Sequence, residues 1–264
     1  MEEQAELVSE EVKAEVEPHL IQLRQEGWCV LEDVIPESEI DSVREYVSAS
    51  SEKALEAYTN DWISIIAGVP DFAPYLGDER VLGIVKTMFN HPHVRIAQTE
   101  LKTIAPHNGD AFLRTYHSDW PHDLRDLSKS GHIHQPFPNI TMAVITLWML
   151  SPFTKENGGT WIVPRSHRDT RNPRGNDGID QNKPIPNEMQ VTGTAGSVLM
   201  TDSRIWHTAT ANLSDAPRIA LLARYIPWWV SVEMGKRNQV TIPAEVFATF
   251  PENVKPLYQH RVTE

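Results

Sequence analysis

Within Arg114–Trp120 (RTYHSDW), His117 and Asp119 stand two residues apart in a stretch of strand-forming character. Side chains at i and i+2 of a strand leave from one face, so this segment presents an imidazole beside a carboxylate. Those are two of the three groups of a 2-His-1-carboxylate facial triad, which holds Fe(II) on one side and leaves the opposite positions open. A third donor is available in Ser203–Ala209 (SRIWHTA), where His207 sits among strand formers, and eleven positions later comes Arg218. Its guanidinium is a fixed cationic fork suited to a dicarboxylate. In a chain with eleven histidines an isolated H-x-D triplet carries little weight. What marks this one is order: H-x-D closing one β-like run, a lone histidine in a second, and an arginine about one strand further on. The same donors would also accept Zn²⁺, Mn²⁺, Co²⁺ or Ni²⁺, so the triad alone does not name the metal.

The residues after the triplet lie where substrate would enter. Trp120, His122 and Asp123 offer an indole face and polar groups to a cationic or hydrogen-bonding substrate. His132 and His134 repeat the i, i+2 spacing but adjoin Pro136 and Pro138 with no carboxylate at matching distance. They are assigned to a loop, with His134 facing substrate. Residues Pro121–Pro138 and Arg168–Asn187 have poor strand character, as lids and binding loops do; the first is expected to be a substrate lid.

Several segments, in order, resemble the phytanoyl-CoA dioxygenase-like Fe(II)/2-oxoglutarate oxygenases, a group that includes ectoine hydroxylase. Gln25–Pro36 (QEGWCVLEDVIP) looks like the family's opening, Asn157–His167 (NGGTWIVPRSH) like its N-G-x-x-x-x-x-P-G-S-H segment, and Trp206-His207 through Asn212, Ser214 and Arg218 like its distal-histidine strand pair. The resemblance implies a double-stranded β-helix (jelly roll, cupin-like), with His117, Asp119 and His207 on Fe(II) and Arg218 on the distal carboxylate of 2-oxoglutarate. Thr160, Trp148 and Gln98 match positions that contact the cosubstrate. The implied reaction uses O2 to hydroxylate a C–H bond of a small-molecule metabolite, releasing succinate and CO2. Asp119 argues against halogenation, since related halogenases have Ala or Gly there. One departure is Arg165, where the family has a glycine suited to positive φ; a solvated turn is expected. Two rival functions are a non-catalytic jelly-roll metal- or ligand-binding protein and a cupin-like metal hydrolase or isomerase. The intact His117, Asp119, His207 and Arg218 count against the first, since a relic has no physical reason to keep an open site with its counter-cation, and Arg218 counts against the second, whose chemistry needs no dicarboxylate anchor.

The elements that must position these residues follow from the texture of the chain. An acidic helix is expected from about Ser9 to Glu26, a strand from Trp28 to Leu31, and a helix after Pro36 with Ile40, Val43 and Val47 at helical spacing. From Val94 the chain breaks into short apolar runs: Val94–Ile104, Phe112–Asp119, Ile140–Leu150, Thr160–Val163, Ser197–Thr201, Ile205–Thr210 and Arg218–Ile226. The reading is one oxygenase domain over 1–264, with a mainly helical brace at 1–92, a jelly-roll core at 93–230 and a C-terminal segment at 231–264. Trp228 and Trp229 are expected to pack beneath that segment.

Composition bounds the partners. A net charge of −12 argues against nucleic acid and anionic membrane surfaces, and no run of eighteen apolar residues exists to span a bilayer. The acidic start, MEEQAE, has no signal-peptide pattern. A single cysteine, Cys29, reads as a buried structural thiol in a reducing, cytoplasmic setting.

Overall fold

The computed structural model describes residues 8–57, 65–107, 115–119, 139–174, 178–180, 183–230 and 241–263. Helix α1 (Glu10–Glu26) begins where the Ser9 hydroxyl accepts the Val12 N–H at 3.4 Å, and it buries Val12, Val16, Leu20 and Leu23 at near-i+4 spacing along one stripe. Strand β1 (Trp28–Leu31) follows, then α2 (Glu37–Ala57), a one-turn α3 (Ala73–Leu76) and α4 (Glu79–Phe89). Asp78 starts α4 by accepting from the N–H groups of Arg80 and Val81, at 3.0 and 3.1 Å. Among the described residues no helix is long and apolar enough to cross a membrane.

These helices cover one face of a five-stranded antiparallel sheet ordered β1, β6 (Val198–Asp202), β3 (Val144–Met149), β8 (Arg218–Pro227) and β2 (Val94–Ile104). Strand alternation then decides which residues can reach a site. On β3, Val144 and Trp148 join the core beneath the helices, whereas Ile145, Leu147 and Met149 point to the other side. On β8, Leu221, Ala223 and Tyr225 face the helices, leaving Arg218, Ala220, Leu222 and Arg224 on the opposite face. In β2 the register shifts between Ile96 and Gln98. The bulge exchanges the parity of the strand, so Ile96 packs under the helices while Gln98, Glu100 and Lys102 turn inward.

Facing that inner surface is a three-stranded antiparallel sheet ordered β5 (Met189–Gln190), β4 (Trp161–Val163) and β7 (Trp206–Thr208). Met149, Leu199 and Ala220 of the large sheet meet Ile162 and Ile205 between the two layers. The result is the expected double-stranded β-helix with flanking helices. Every expected run whose residues are described contains a strand except Phe112–Asp119. Of that run residues 115–119 are described, and only His117 makes a β-bridge.

Two expectations are corrected. Trp148 does not face the interior: it is fully buried on the helix side, edge-on to Phe72 at 5.6 Å between ring centroids, with its indole N–H donating to the Thr146 hydroxyl at 3.0 Å. Strand parity puts it there, and its neighbour Leu147 takes the inward position. Trp228 and Trp229 are about half exposed rather than packed away; Trp228 donates its indole N–H to His91 Nε2 at 3.0 Å. Cys29 is buried as expected, and desolvation pushes its thiol up to about 12.

Candidate metal centre and its cavity

His117 and His207 lie opposite one another as an antiparallel pair. The His117 N–H donates to the His207 carbonyl at 3.0 Å, and the His207 N–H returns the bond at 2.8 Å. Both side chains therefore leave from the same face, with ring centroids 4.2 Å apart. Asp119 is held by its own N–H, which donates to the Ser203 carbonyl in the turn before β7 at 2.8 Å. Each imidazole places Nδ1 near the carbonyl two residues back, Thr115 at 3.3 Å and Ile205 at 3.1 Å. An Nδ1–H tautomer bonded this way is the usual support for a metal-binding Nε2. Both Nε2 atoms face Asp119 Oδ1, each at 3.9 Å, and the three candidate ligand atoms lie within 4.8 Å of one another. A borderline divalent ion fits that donor set.

Electrostatics keep His117 and Asp119 in their metal-binding protonation states. Burial, then the neighbouring His207, pushes His117 down to about 3, so it is neutral at physiological pH. Burial opposes ionisation of Asp119, but His207, Arg224 and His117 outweigh it and hold the carboxyl below its usual range.

Arg218 opens β8 on the inner face, 4% exposed. Its guanidinium lies over the Phe153 ring at 4.3 Å and donates to the Gly158 carbonyl. It has no carboxylate partner among the described residues, and burial alone pushes it down to about 10. The motifs on either side exist to place it. In Asn157-Gly158-Gly159-Thr160 the Asn157 side chain accepts from the Thr154 N–H at 2.8 Å and donates to the Pro152 carbonyl at 2.6 Å. Gly158 sits at φ +86°, and a Cβ on Gly159 would fall 2.3 Å from the Val191 carbonyl oxygen. On the other side the Asn212 amide donates to the carbonyls of Ile104 and Ala216 at 2.9 and 2.8 Å, while its oxygen accepts from Ser214. That turn returns the chain from β7 into β8.

His117, Asp119, His207, Arg218, Thr160 and Gln98 all line one cavity of about 530 Å³ between the sheets. Its remaining wall mixes leucine and isoleucine with threonine and charged side chains, chiefly from β2, β3, β6 and β8 of the large sheet. Trp148, buried on the helix side, is outside it. Trp120, His122, Asp123 and His134, with the Pro121–Pro138 segment, fall outside the described residues.

Three charged residues of the cavity, Glu100, Lys102 and Arg224, were not anticipated from the sequence. Glu100 is 5% exposed and accepts from Gln98 at 2.7 Å and Lys102 at 2.6 Å. Arg224 is also 5% exposed, with a guanidinium nitrogen 3.7 Å from Asp119 Oδ1. A signal existed: Gln98, Glu100 and Lys102, like Arg218 and Arg224, are separated by even numbers of residues in otherwise apolar strands, so each set shares one face.

Arg165 lies elsewhere. It adopts φ 69° and its guanidinium chelates the Glu26 carboxylate at the end of α1, Nε at 2.9 Å and a terminal nitrogen at 2.7 Å. It is a solvated turn, and its Glu26 pair replaces the missing glycine's conformational ease with a surface contact.

Comparisons agree with this architecture. The chain is 27% identical over 208 residues to an uncharacterized protein of Mycobacterium tuberculosis, covering 74% of this chain and 69% of that one. Among solved structures it is similar to HygX from Streptomyces hygroscopicus with nickel and 2-oxoglutarate bound (TM-score 0.62, 20% identity, 81% of this chain and 88% of that one). It is also similar to the epimerase SnoN in complex with Fe3+, alpha ketoglutarate and nogalamycin RO (TM-score 0.57, 18% identity, 81% and 84%) and to EctD from S. alaskensis with bound Fe (TM-score 0.59, 18% identity, 86% and 79%). Residues 23–220 match the family described as phytanoyl-CoA dioxygenase (PhyH), a span that takes in the whole triad and Arg218. The chain belongs to the phytanoyl-CoA dioxygenase family.

Proposed function

We propose that this protein is an Fe(II)/2-oxoglutarate-dependent oxygenase that oxidises a C–H bond of a small molecule, with hydroxylation as its default outcome. The observation that carries the reading is the pairing, in one cavity, of a His117–Asp119–His207 donor set with a buried guanidinium, Arg218, that has no carboxylate partner among the described residues. A desolvated cation is costly to keep unless a ligand answers it.

In this reading His117, Asp119 and His207 would hold the iron, which together with bound 2-oxoglutarate would supply the activation of dioxygen, with succinate and CO2 released beside the oxidised product. Arg218 binds the distal carboxylate through a charge-assisted fork, its orientation set by Phe153 and Gly158. Thr160 offers a hydroxyl on the same wall. Leu147, Leu199 and Leu222 exclude water around the site, which strengthens each polar contact inside it. Because SnoN is an epimerase, the substrate's placement against this common machinery sets the outcome once hydrogen is removed, and ring formation or desaturation is open to the same site.

The test is succinate release from 2-oxoglutarate with Fe(II), ascorbate and O2 across a metabolite library, alongside Asp119→Ala. The reading requires release that depends on iron and disappears in the variant. Wild-type protein that binds neither iron nor 2-oxoglutarate would refute it.

A further inference from the structure

We propose that the protein carries a second binding pocket, on the helix side of the large sheet, for the phosphate group of a small phosphorylated ligand. The inference is independent of the metal site, because the described residues that line this pocket and those that line the catalytic cavity have no member in common.

A cavity of about 340 Å³ opens between the last turns of α1 and α4 and residues 139–141, which lead into β3. On β6 Val198 and Met200 pack under the helices, so Asp202, at the same parity, faces that side too. Three guanidiniums reach the pocket: Arg24 from α1, Arg168 from the helical turn Ser166–Arg168, and Arg204 from just after β6. Arg204 is already committed. It chelates Asp202 at 2.9 and 2.7 Å and donates to the Asn139 side chain at 2.7 Å, and both members of the ion pair are at most 5% exposed. The Thr141 hydroxyl donates to Asp202 as well, at 2.7 Å.

Arg24 and Arg168 differ from it. A guanidinium has five N–H donors, and among the described residues each of these side chains makes one hydrogen bond, to a backbone carbonyl: Arg24 to Thr87 at 3.4 Å and Arg168 to Arg24 at 2.7 Å. Glu26, whose carboxyl feels the charge of Arg168, is chelated by Arg165 instead. His167 adds no charge, since burial lowers its pKa. Three guanidiniums against the one carboxylate of Asp202 leave two positive charges in a concave site, on a chain of net charge −12. A cleft lined by one sign of charge concentrates the opposite ion. A phosphate monoester brings close to two negative charges and three acceptor oxygens on one compact group, which suits two guanidinium forks. Leu23, Met88 and Ile140, the last 45% exposed, give the organic part of the ligand an apolar wall. Both arginines also stand at the C-terminal end of α1, where a cation is favoured. Their loss therefore lowers stability with or without a ligand, and binding is the quantity to read.

Calorimetric titration of the full chain at neutral pH tests the site. The probe is phenyl phosphate, and its control is benzenesulfonate, the same ring with a single charge. Wild-type protein is expected to bind phenyl phosphate saturably and about tenfold more tightly than benzenesulfonate. The double variant Arg24→Gln, Arg168→Gln should weaken phenyl phosphate by about 10- to 100-fold, while Arg218→Met, in the catalytic cavity, leaves its affinity unchanged. Arg24→Glu alone reverses one charge at an exposed helix position; it keeps the fold where the double variant does not, and should abolish binding. Absence of saturable binding to the wild type, equal affinity for the two probes, or wild-type affinity in Arg24→Glu would each overturn the proposal. Loss of binding in Arg218→Met with retention in the double variant would overturn it too, by placing the phosphate in the catalytic cavity.

Discussion

Replacing Arg218 by methionine separates what the residue does for function from what it costs the fold. The guanidinium's drop from its ordinary value to about 10 has burial as its cause. At 1.36 kcal/mol per pH unit this is about 3 kcal/mol of destabilisation carried by the charged form. Because the folded value lies below the unfolded one, the cost is present in full at neutral pH and is relieved only as pH rises past about 10 toward the ordinary guanidinium value. Two contacts return part of it: the cation–π contact with Phe153 and the bond to the Gly158 carbonyl, together about 2–3 kcal/mol. Methionine keeps an unbranched apolar stem and removes the charge. The metal-free variant should therefore melt at the wild-type temperature or a few degrees above it. Its affinity for 2-oxoglutarate should fall by about 30- to 700-fold, from the loss of about 2–4 kcal/mol of charge-assisted pairing. Calorimetric titration of nickel-loaded protein and a thermal scan of the apoprotein read the two quantities separately. Unchanged 2-oxoglutarate affinity would move the anchor elsewhere. A fall in Tm of ten degrees would show that Arg218 is a structural residue.

Four further outcomes are expected. His117→Ala, Asp119→Ala and His207→Ala should each lose stoichiometric iron and turnover while keeping the wild-type circular dichroism spectrum, because the scaffold is built by strand pairing around them; full iron content in Asp119→Ala would show that the triad is misassigned. With His117 held near 3 in the fold, the unfolded chain takes up a proton below about 6.5 that the folded chain does not. Metal-free protein should therefore lose stability as pH falls from 6.5 toward 4, and His117→Gln should flatten that slope in urea titrations. Gly159→Ala should destabilise by about 1–3 kcal/mol, since its Cβ would press on the Val191 carbonyl oxygen, and should weaken 2-oxoglutarate through Thr160; equal urea midpoints would contradict the close approach. Arg165→Gly relieves a left-handed backbone worth about 1–2 kcal/mol but gives up a mostly exposed, solvent-screened pair with Glu26, so stability should stay level or rise slightly, and a clear fall in the urea midpoint would count against this account of the turn.

Most elements of the sheets were legible in the chain alone, because those signals are local. The helix expected from about Ser9 starts there, capped by the Ser9 hydroxyl, and strand-forming runs from Trp28 to Leu31 and from Val94 to Ile104 appear as strands with those bounds, whereas α4 behind its Asp78 cap and the short β5 were not anticipated. Residue type and spacing singled out His117, Asp119, His207 and Arg218, and the structure brings all four to the wall of one cavity. What the sequence left open was orientation across distance. That His117 lies opposite His207, ninety residues on, is a fact of strand pairing between two segments, and hydrogen bonds of 2.8 and 3.0 Å between them decide it. Which way Trp148 points depends on which face of β3 the helices cover, so a residue that matched a cosubstrate position went instead into the core against Phe72. The charged wall of Glu100, Lys102 and Arg224 likewise depends on the bulge between Ile96 and Gln98 and on the register of β2 against β8. A strand's side chains alternate whatever its sequence, and only packing against a second layer determines which half meets the helices and which half becomes the site.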